Sequence, residues 1–242
     1  MTTTIVIPCF NEADRLSLSG VEELCAVKGV QVILVNDGST DATWQKLLYI
    51  KEQHGACVEL LDLQDNVGKG EAVRLGLRKA IENKSSEVAY MDADFATSAG
   101  EMLRLKDILL AKEECKVLFA ARWLHLGAKI ERTLARHYIG RVFATLASLM
   151  LKMPVYDTQC GAKLFRVTDS LSSALASPFV SRWIFDVELI ARLRLGPEGY
   201  KVGEFLEVPL NHWRDVSGSK LRPQDFLKAS TETIQIWWSL RK

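Results

Sequence analysis

The stretch VQVILVNDGSTDATWQKLLYIKEQHGACVELLDLQDNVGKGEAVRLGLRKAIEN, residues 30–83, decides the fold class. Two short apolar, β-branched runs, Val30–Asn36 and Val58–Leu63, have the length and composition of strands. Each is followed by a helical pattern, Thr40–Gln53 and Lys69–Asn83. Near-continuous apolar strands suit a parallel sheet covered on both faces, and the alternation implies βαβ units with right-handed crossovers. Outward from this unit the pattern repeats. Thr4–Pro8, Val88–Met91 and Val117–Ala121 are expected strands, and Ser98–Glu113 an expected helix that opens on the S-x-x-E pair Ser98 and Glu101.

The second half has a different texture. Lys129–Met153 reads as one long helix or as two with a break near Gly140. Gly161–Val167 and Val202–Val208 are strand candidates, Phe185–Leu195 a helix, Asn211–Pro223 a polar loop and Asp225–Leu240 a terminal helix ending in Trp237-Trp238. The expected fold class is α/β: a central, mostly parallel sheet flanked by helices, with a C-terminal helical extension. No repeat or linker divides the 242 residues, so one domain is expected over 1–242.

Composition narrows the classes. Apolar content of 48% rules out disorder for most of the chain. Lys+Arg 31 against Asp+Glu 30 gives a net charge of +1, so no global field favours nucleic acid and none is expected as a partner. The five cysteines (9, 25, 57, 115, 160) are odd in number and scattered, which reads as reduced thiols in a cytosolic protein. The longest stretch without a charged residue, Ser170–Ser181, is twelve residues and serine-rich, well short of a membrane span of roughly 20 apolar residues. The first residues, MTTTIVIPCFNE, show no basic region of a signal peptide. A cytoplasmic protein is expected, soluble or peripheral on the cytoplasmic face of a membrane.

Ligands of open α/β sheets bind beyond the carboxyl ends of the strands. Those ends carry Pro8-Cys9-Phe10-Asn11-Glu12, Asn36-Asp37-Gly38-Ser39, Asp65-Asn66-Val67-Gly68-Lys69-Gly70, Asp92-Ala93-Asp94 and Arg122. Asp92 and Asp94 can share a divalent cation through hard oxygen ligands, although a lone D-x-D is often an exposed turn. Asp37 suits a base or ribose contact, or an Asx turn. Lys69 lies among glycines where a helix opens, a place that suits an anion. Neither a Walker A loop nor a G-x-G-x-x-G after the first strand is present, which argues against a P-loop NTPase and an NAD dehydrogenase.

Together these segments resemble glycosyltransferase family 2, with its GT-A (Rossmann-like) fold: IVIPCFNE (5–12), VILVNDGSTDAT (32–43), NVGKGEAVRLGL (66–77) and MDADFAT (91–97). DTQCGAKLF (157–165), FDVE (185–188) and the VP…WRDVSGSKL segment (208–221) narrow the likeness to the dolichyl-phosphate glucosyltransferase branch, over roughly residues 4–228. The resemblance implies transfer of a sugar, glucose being the expected one, from a nucleotide diphosphate donor of UDP type to a polyprenyl phosphate. It implies a nucleotide-sugar half at about 1–122 and an acceptor- and membrane-facing half at about 123–242. Pro8, Phe10 and Glu12 would line the nucleoside pocket, Asp37 would meet the base or ribose, and Lys69 would lie near the uracil or diphosphate. Asp92 and Asp94 would hold Mg²⁺ or Mn²⁺ and the diphosphate. Arg122 would face the diphosphate or the acceptor phosphate, and Arg132 and Gln159 would bind substrate. Arg214 and Lys220 would close over the donor. Asp186 and Glu188 are given orienting or metal-side roles in catalysis, or form a helix-start charge pair. Phe10 stands where the family has tyrosine, and Ser98 where proline is common.

The stretch from Arg122 to Arg141 carries Arg122, Lys129, Arg132, Arg136 and Arg141 against Glu131, and the apolar run Val142–Leu151 follows it. This suits either docking on an anionic lipid surface or an ordinary amphipathic core helix. Two other functions stay open: a family 2 transferase with a hydroxyl acceptor, which would need Asp186 or Glu188 as base, and a nucleotide-sugar binder without catalysis. The four histidines show no metal spacing.

Overall fold

The computed structural model describes residues 2–123, 126–127, 129–131, 134–181 and 184–214; within 131–142 it describes the backbone alone, Arg141 excepted. Seven strands form one sheet: β1 (Thr3–Cys9), β2 (Val30–Asp37), β3 (Val58–Leu63), β4 (Glu87–Met91), β5 (Val117–Ala121), β7 (Ala162–Arg166) and β8 (Phe205–Pro209). Their order is β3-β2-β1-β4-β7-β5-β8. β6 (Lys129–Glu131) and β9 (His212–Arg214) pair parallel in a separate two-stranded sheet.

Period-2 alternation with apolar residues on both sides explains the layering. In β1, Val6 packs under α3 (Lys69–Glu82) and α7 (Phe185–Leu195), while Ile5 and Ile7 face α1 (Leu18–Cys25), α2 (Thr43–Gln53) and α4 (Ala99–Ala111). In β2, Ile33 and Val35 take the first face and Val32 and Leu34 the second. Side-chain oxygens of Ser17, Ser98 and Thr168 cap α1, α4 and α6 (Asp169–Ala174). Glu101 does not complete a capping box with Ser98; its carboxylate holds Arg104 and the Asn211 amide, tying α4 to the residues after β8.

β7 is the one strand of the seven that runs against its neighbours, pairing antiparallel with both β4 and β5. Its register, Met91 opposite Ala162, sets the start of β7 beside the end of β4. The loop 157–161 is thereby delivered to the same edge as Asp92, and the end of β8 joins it opposite Ala121.

Several expectations are corrected. Residues 129–131 form β6 because β9, about 80 residues away in sequence, supplies their hydrogen bonds; the helix α5 begins at Leu134 and ends at Leu151. A short 3₁₀ turn, Val202–Glu204, precedes β8, which starts only at Phe205. The helices α1 and α6 were not signalled by periodicity. Cys25 and Cys57 form a disulfide between the end of α1 and the start of β3, so the reading of all five thiols as reduced fails. Cys9, Cys115 and Cys160 are free and buried. The expected terminal helix and Trp237-Trp238 lie outside the described residues.

Candidate active site

The centre of the edge is Asp92, the first residue beyond β4. Lys69, the first residue of α3, reaches it with Nζ 2.5 Å from Oδ1. Gly68, at φ +94°, turns the chain into α3 just before the lysine. Behind Asp92 lies Gly161: a Cβ built there would overlap the Asp92 carboxylate. Only glycine lets the loop 157–161 approach so closely.

Asp94 accepts a hydrogen bond from the Ala96 amide at 3.1 Å. Burial, helped by the charge of Asp92, raises its pKa above the ordinary aspartate value. Desolvation opposes the charge on Lys69, but Asp92, Asp186 and Asp94 outweigh it and hold the ammonium above the usual lysine value. A carboxylate whose ionisation its surroundings disfavour, with an ammonium drawn to its neighbour, is what a divalent-ion site presents when its charge is not yet balanced. No group of three or more His, Cys, Asp or Glu side chains with metal-ligand geometry occurs among the described residues. Two carboxylates are the donor set of an ion that completes its shell with phosphate oxygens and water, the habit of Mg²⁺ and Mn²⁺, and Asp92 and Asp94 would be the residues to hold it.

Arg122 is engaged inside the protein. Its Nε and a terminal nitrogen fork onto Asp157 at 2.7 and 2.8 Å, and its guanidinium lies 5.3 Å from the Trp213 ring centre. Burial opposes its charge, and Asp157 more than compensates, holding it well above the ordinary arginine value. Arg122, expected to face a phosphate, is tied here to the D-T-Q-C-G loop. Glu207 fixes the other side of that loop by accepting from the amides of Tyr156 and Asp157 at 2.8 and 2.7 Å. The Cys160 thiol, pushed up to about 12 chiefly by burial, stays protonated. Gln159 donates its amide to Asp157 Oδ1 at 3.1 Å, and its Nε2 has no hydrogen-bond partner among the described residues.

Asp186, expected in a catalytic role, is buried beneath the rim. It accepts from Lys163 Nζ at 2.6 Å and from the Tyr90 hydroxyl, while Lys163 also donates to the Cys160 carbonyl at 2.7 Å. Glu188 is buried further away, accepting from the amides of Val180 and Ser181 and from Arg192. Its observed work is to hold the 180–181 turn against α7. Asp37 lies under the β3–α3 loop, accepting from the amides of Val67 (2.8 Å) and Gly68 (3.0 Å) and from Asn66 Nδ2 (3.0 Å). It thus fixes the turn that launches Lys69.

Pro8 and Phe10 are part-buried at the end of β1. The Glu12 amide donates to Thr43 Oγ1 at 2.7 Å, and its carboxylate pairs with Arg15, whose charge reaches Asp94. Asn11, at φ +52°, accepts from the Thr40 amide at 2.8 Å and joins the loops after β1 and β2. Arg214 is exposed on β9, its amide 3.4 Å from the Ala96 carbonyl just past Asp94. Arg132 and Lys220 lie outside the described residues. The edge thus gathers Asp92, Asp94, Lys69, the 157–161 loop with Arg122, and Asp186 below; Glu188 stands apart.

Sequence reasoning missed Tyr90, Lys163 and Gly161. A lysine inside the buried strand AKLF was a usable signal, since such a charge requires a partner, and Asp186 in the equally apolar α7 is that partner.

The fold is that of a GT-A glycosyltransferase. Residues 4–170 match the family model described as Glycosyl transferase family 2, and the chain belongs to that family. A dolichyl-phosphate beta-glucosyltransferase of Drosophila melanogaster is 32% identical, over 97% of this chain and 74% of its own length. The Saccharomyces cerevisiae enzyme of that name is 30% identical over 90% and 68%. Among solved structures, the glucosyl-3-phosphoglycerate synthase of Mycobacterium tuberculosis, in complex with Mn²⁺, UDP and glucosyl-3-phosphoglycerate, superposes with a TM-score of 0.67 at 20% identity, over 99% of this chain and 79% of that one. A mannosyltransferase of Pyrobaculum calidifontis with GDP-Man and Mn²⁺ gives 0.66 at 17% identity, over 99% and 64%.

Proposed function

We propose that this glycosyltransferase moves glucose from a UDP-sugar donor to a polyprenyl phosphate, with inversion and with a divalent metal. The observation that carries the reading is the meeting of Asp92 and Asp94 with the 157–161 loop at one sheet edge, in a chain similar over nearly its whole length to dolichyl-phosphate beta-glucosyltransferases. A divalent ion on the two aspartates would stabilise charge gathering on the departing diphosphate. Lys69, at the N-terminus of α3, binds the same diphosphate. Arg122 holds the loop that backs Asp92. An acceptor phosphate oxygen attacks the anomeric carbon, and the bond to the β-phosphate oxygen breaks in the same displacement.

A lipid phosphate is already anionic at pH 7 and needs no base, unlike a sugar hydroxyl. This favours it over a hydroxyl acceptor, because Asp186 and Glu188, the carboxylates that such an acceptor would need as base, are both buried and engaged. Trp123 beyond β5 and Leu146 and Leu149 on α5 are exposed, which supports peripheral docking on lipid; no helix among the described residues is long and apolar enough to cross a membrane.

The test is incubation with a panel of nucleotide sugars, dolichyl or undecaprenyl phosphate and Mn²⁺ or Mg²⁺, counting label in the lipid phase. The expected result is glucose transfer from UDP-glucose, falling more than about 1000-fold in Asp94→Ala while weak UDP binding persists. No lipid-linked sugar with any donor contradicts the reading.

A further inference from the structure

We propose that Lys69 is a built-in stand-in for the metal: its ammonium occupies Asp92 until a divalent cation displaces it, and it then turns to the donor diphosphate. The inference rests on the metal reading above. It starts from an asymmetry among the cations of the edge. Arg122 is forked onto Asp157, Arg15 is paired with Glu12, and Lys163 is fully buried between Asp186 and the Cys160 carbonyl. Lys69 meets Asp92 at the solvent boundary, its own side chain exposed and that of Asp92 part-buried, with the contacted Oδ1 covered. Pairs at such a boundary are weak and open to exchange with ions from solvent.

Asp92, by contrast, has no room to follow a departing partner into the protein, because Gly161 closes the space behind its carboxylate. Cations must therefore come to Asp92 and leave from it. An ammonium 2.5 Å from Oδ1 stands where an ion bound to that oxygen would stand, and the two positive charges repel strongly at such range. Lys69 has somewhere to go. It is the first residue of α3, where backbone N–H groups and the helix dipole favour an anion. With a diphosphate present, the displaced lysine gains a new partner. Lys69 and the metal thus compete in the empty enzyme and cooperate in the donor complex.

The test measures Mn²⁺ binding to the whole chain by the loss of the free-ion electron paramagnetic resonance signal, with and without UDP. Without UDP, Lys69→Met is expected to bind Mn²⁺ about 3- to 10-fold more tightly than wild type, the scale of one exposed counter-charge against a divalent ion. Lys69→Arg should keep the weaker wild-type affinity. With UDP, wild type should gain more Mn²⁺ affinity than Lys69→Met does. Equal or weaker Mn²⁺ binding by Lys69→Met in the absence of UDP overturns the exchange. If wild type takes up no Mn²⁺ even with UDP, or Asp92→Asn takes it up unchanged, the metal reading falls and the exchange falls with it. Normal uptake by wild type without a gain in Lys69→Met strikes the exchange alone.

Discussion

Asp92 and Asp186 each carry a lysine at almost the same distance, 2.5 Å to Lys69 and 2.6 Å to Lys163. Their surroundings separate them. The side chains of Lys69 and Asp92 are 45% and 34% exposed, those of Lys163 and Asp186 0% and 7%. Solvent reaches the first pair and is shut out of the second. The second pair is fixed by the Tyr90 hydroxyl and the Cys160 carbonyl, so it joins β4, β7, the 157–161 loop and α7. One chemical pairing thus serves two ends, an exchangeable seat at the rim and a rigid support beneath it.

The largest expected difference between the pairs is in stability. Lys163→Met leaves Asp186 buried without its cation and should cost about 3–5 kcal/mol in urea unfolding, whereas Lys69→Met should cost under about 1 kcal/mol. Similar losses for both would erase the distinction. Restoring an apolar pair with Lys163→Met and Asp186→Leu should recover most of the first loss.

Next in size is the backing of Asp92. Gly161→Ala forces its carboxylate forward, and Mn²⁺ affinity and kcat/KM should fall about 10- to 100-fold with little change in unfolding free energy, since the added methyl meets the rim and not the core. A large loss of stability with unchanged Mn²⁺ affinity would move Gly161 from the rim into the structural support.

The smallest effect concerns pH. The pKa of Asp94 is raised, so its ionisation disfavours the metal-free fold: the neutral form's advantage is complete below the unfolded-state value and disappears as pH rises through the raised folded-state value. Asp94→Asn should therefore show a slightly higher Tm than wild type at pH 7 without metal, and the gap should close at acidic pH. Binding of a cation needs the ionised carboxylate, so Mn²⁺ affinity should begin to fall at a higher pH than an ordinary aspartate dictates.

The parallel half of the sheet and its acidic edge were legible because the signals are local. Val30–Asp37 and Val58–Leu63 are apolar runs closed by turn residues, and Asp92 and Asp94 follow such a run directly. What escaped depends on residues far apart in sequence. That β7 enters reversed between β4 and β5 cannot be read from AKLFR itself, yet this reversal brings Gly161 against Asp92. The fork of Arg122 onto Asp157, 35 residues later, is likewise invisible to a local reading. β6 looked helical because β9 provides its partners, and the Cys25–Cys57 link joins elements that only the assembled sheet sets side by side. Asp186 and Glu188 share a helix start, but packing gives one to Lys163 under the rim and the other to the 180–181 turn.

The most direct measurement is a manganese anomalous difference map from a crystal grown with Mn²⁺ and UDP. A peak bound by Asp92 and Asp94, with the Lys69 ammonium lifted off Asp92 and onto the diphosphate, is the predicted result. Manganese elsewhere, or Lys69 still seated on Asp92 beside bound UDP, would contradict it.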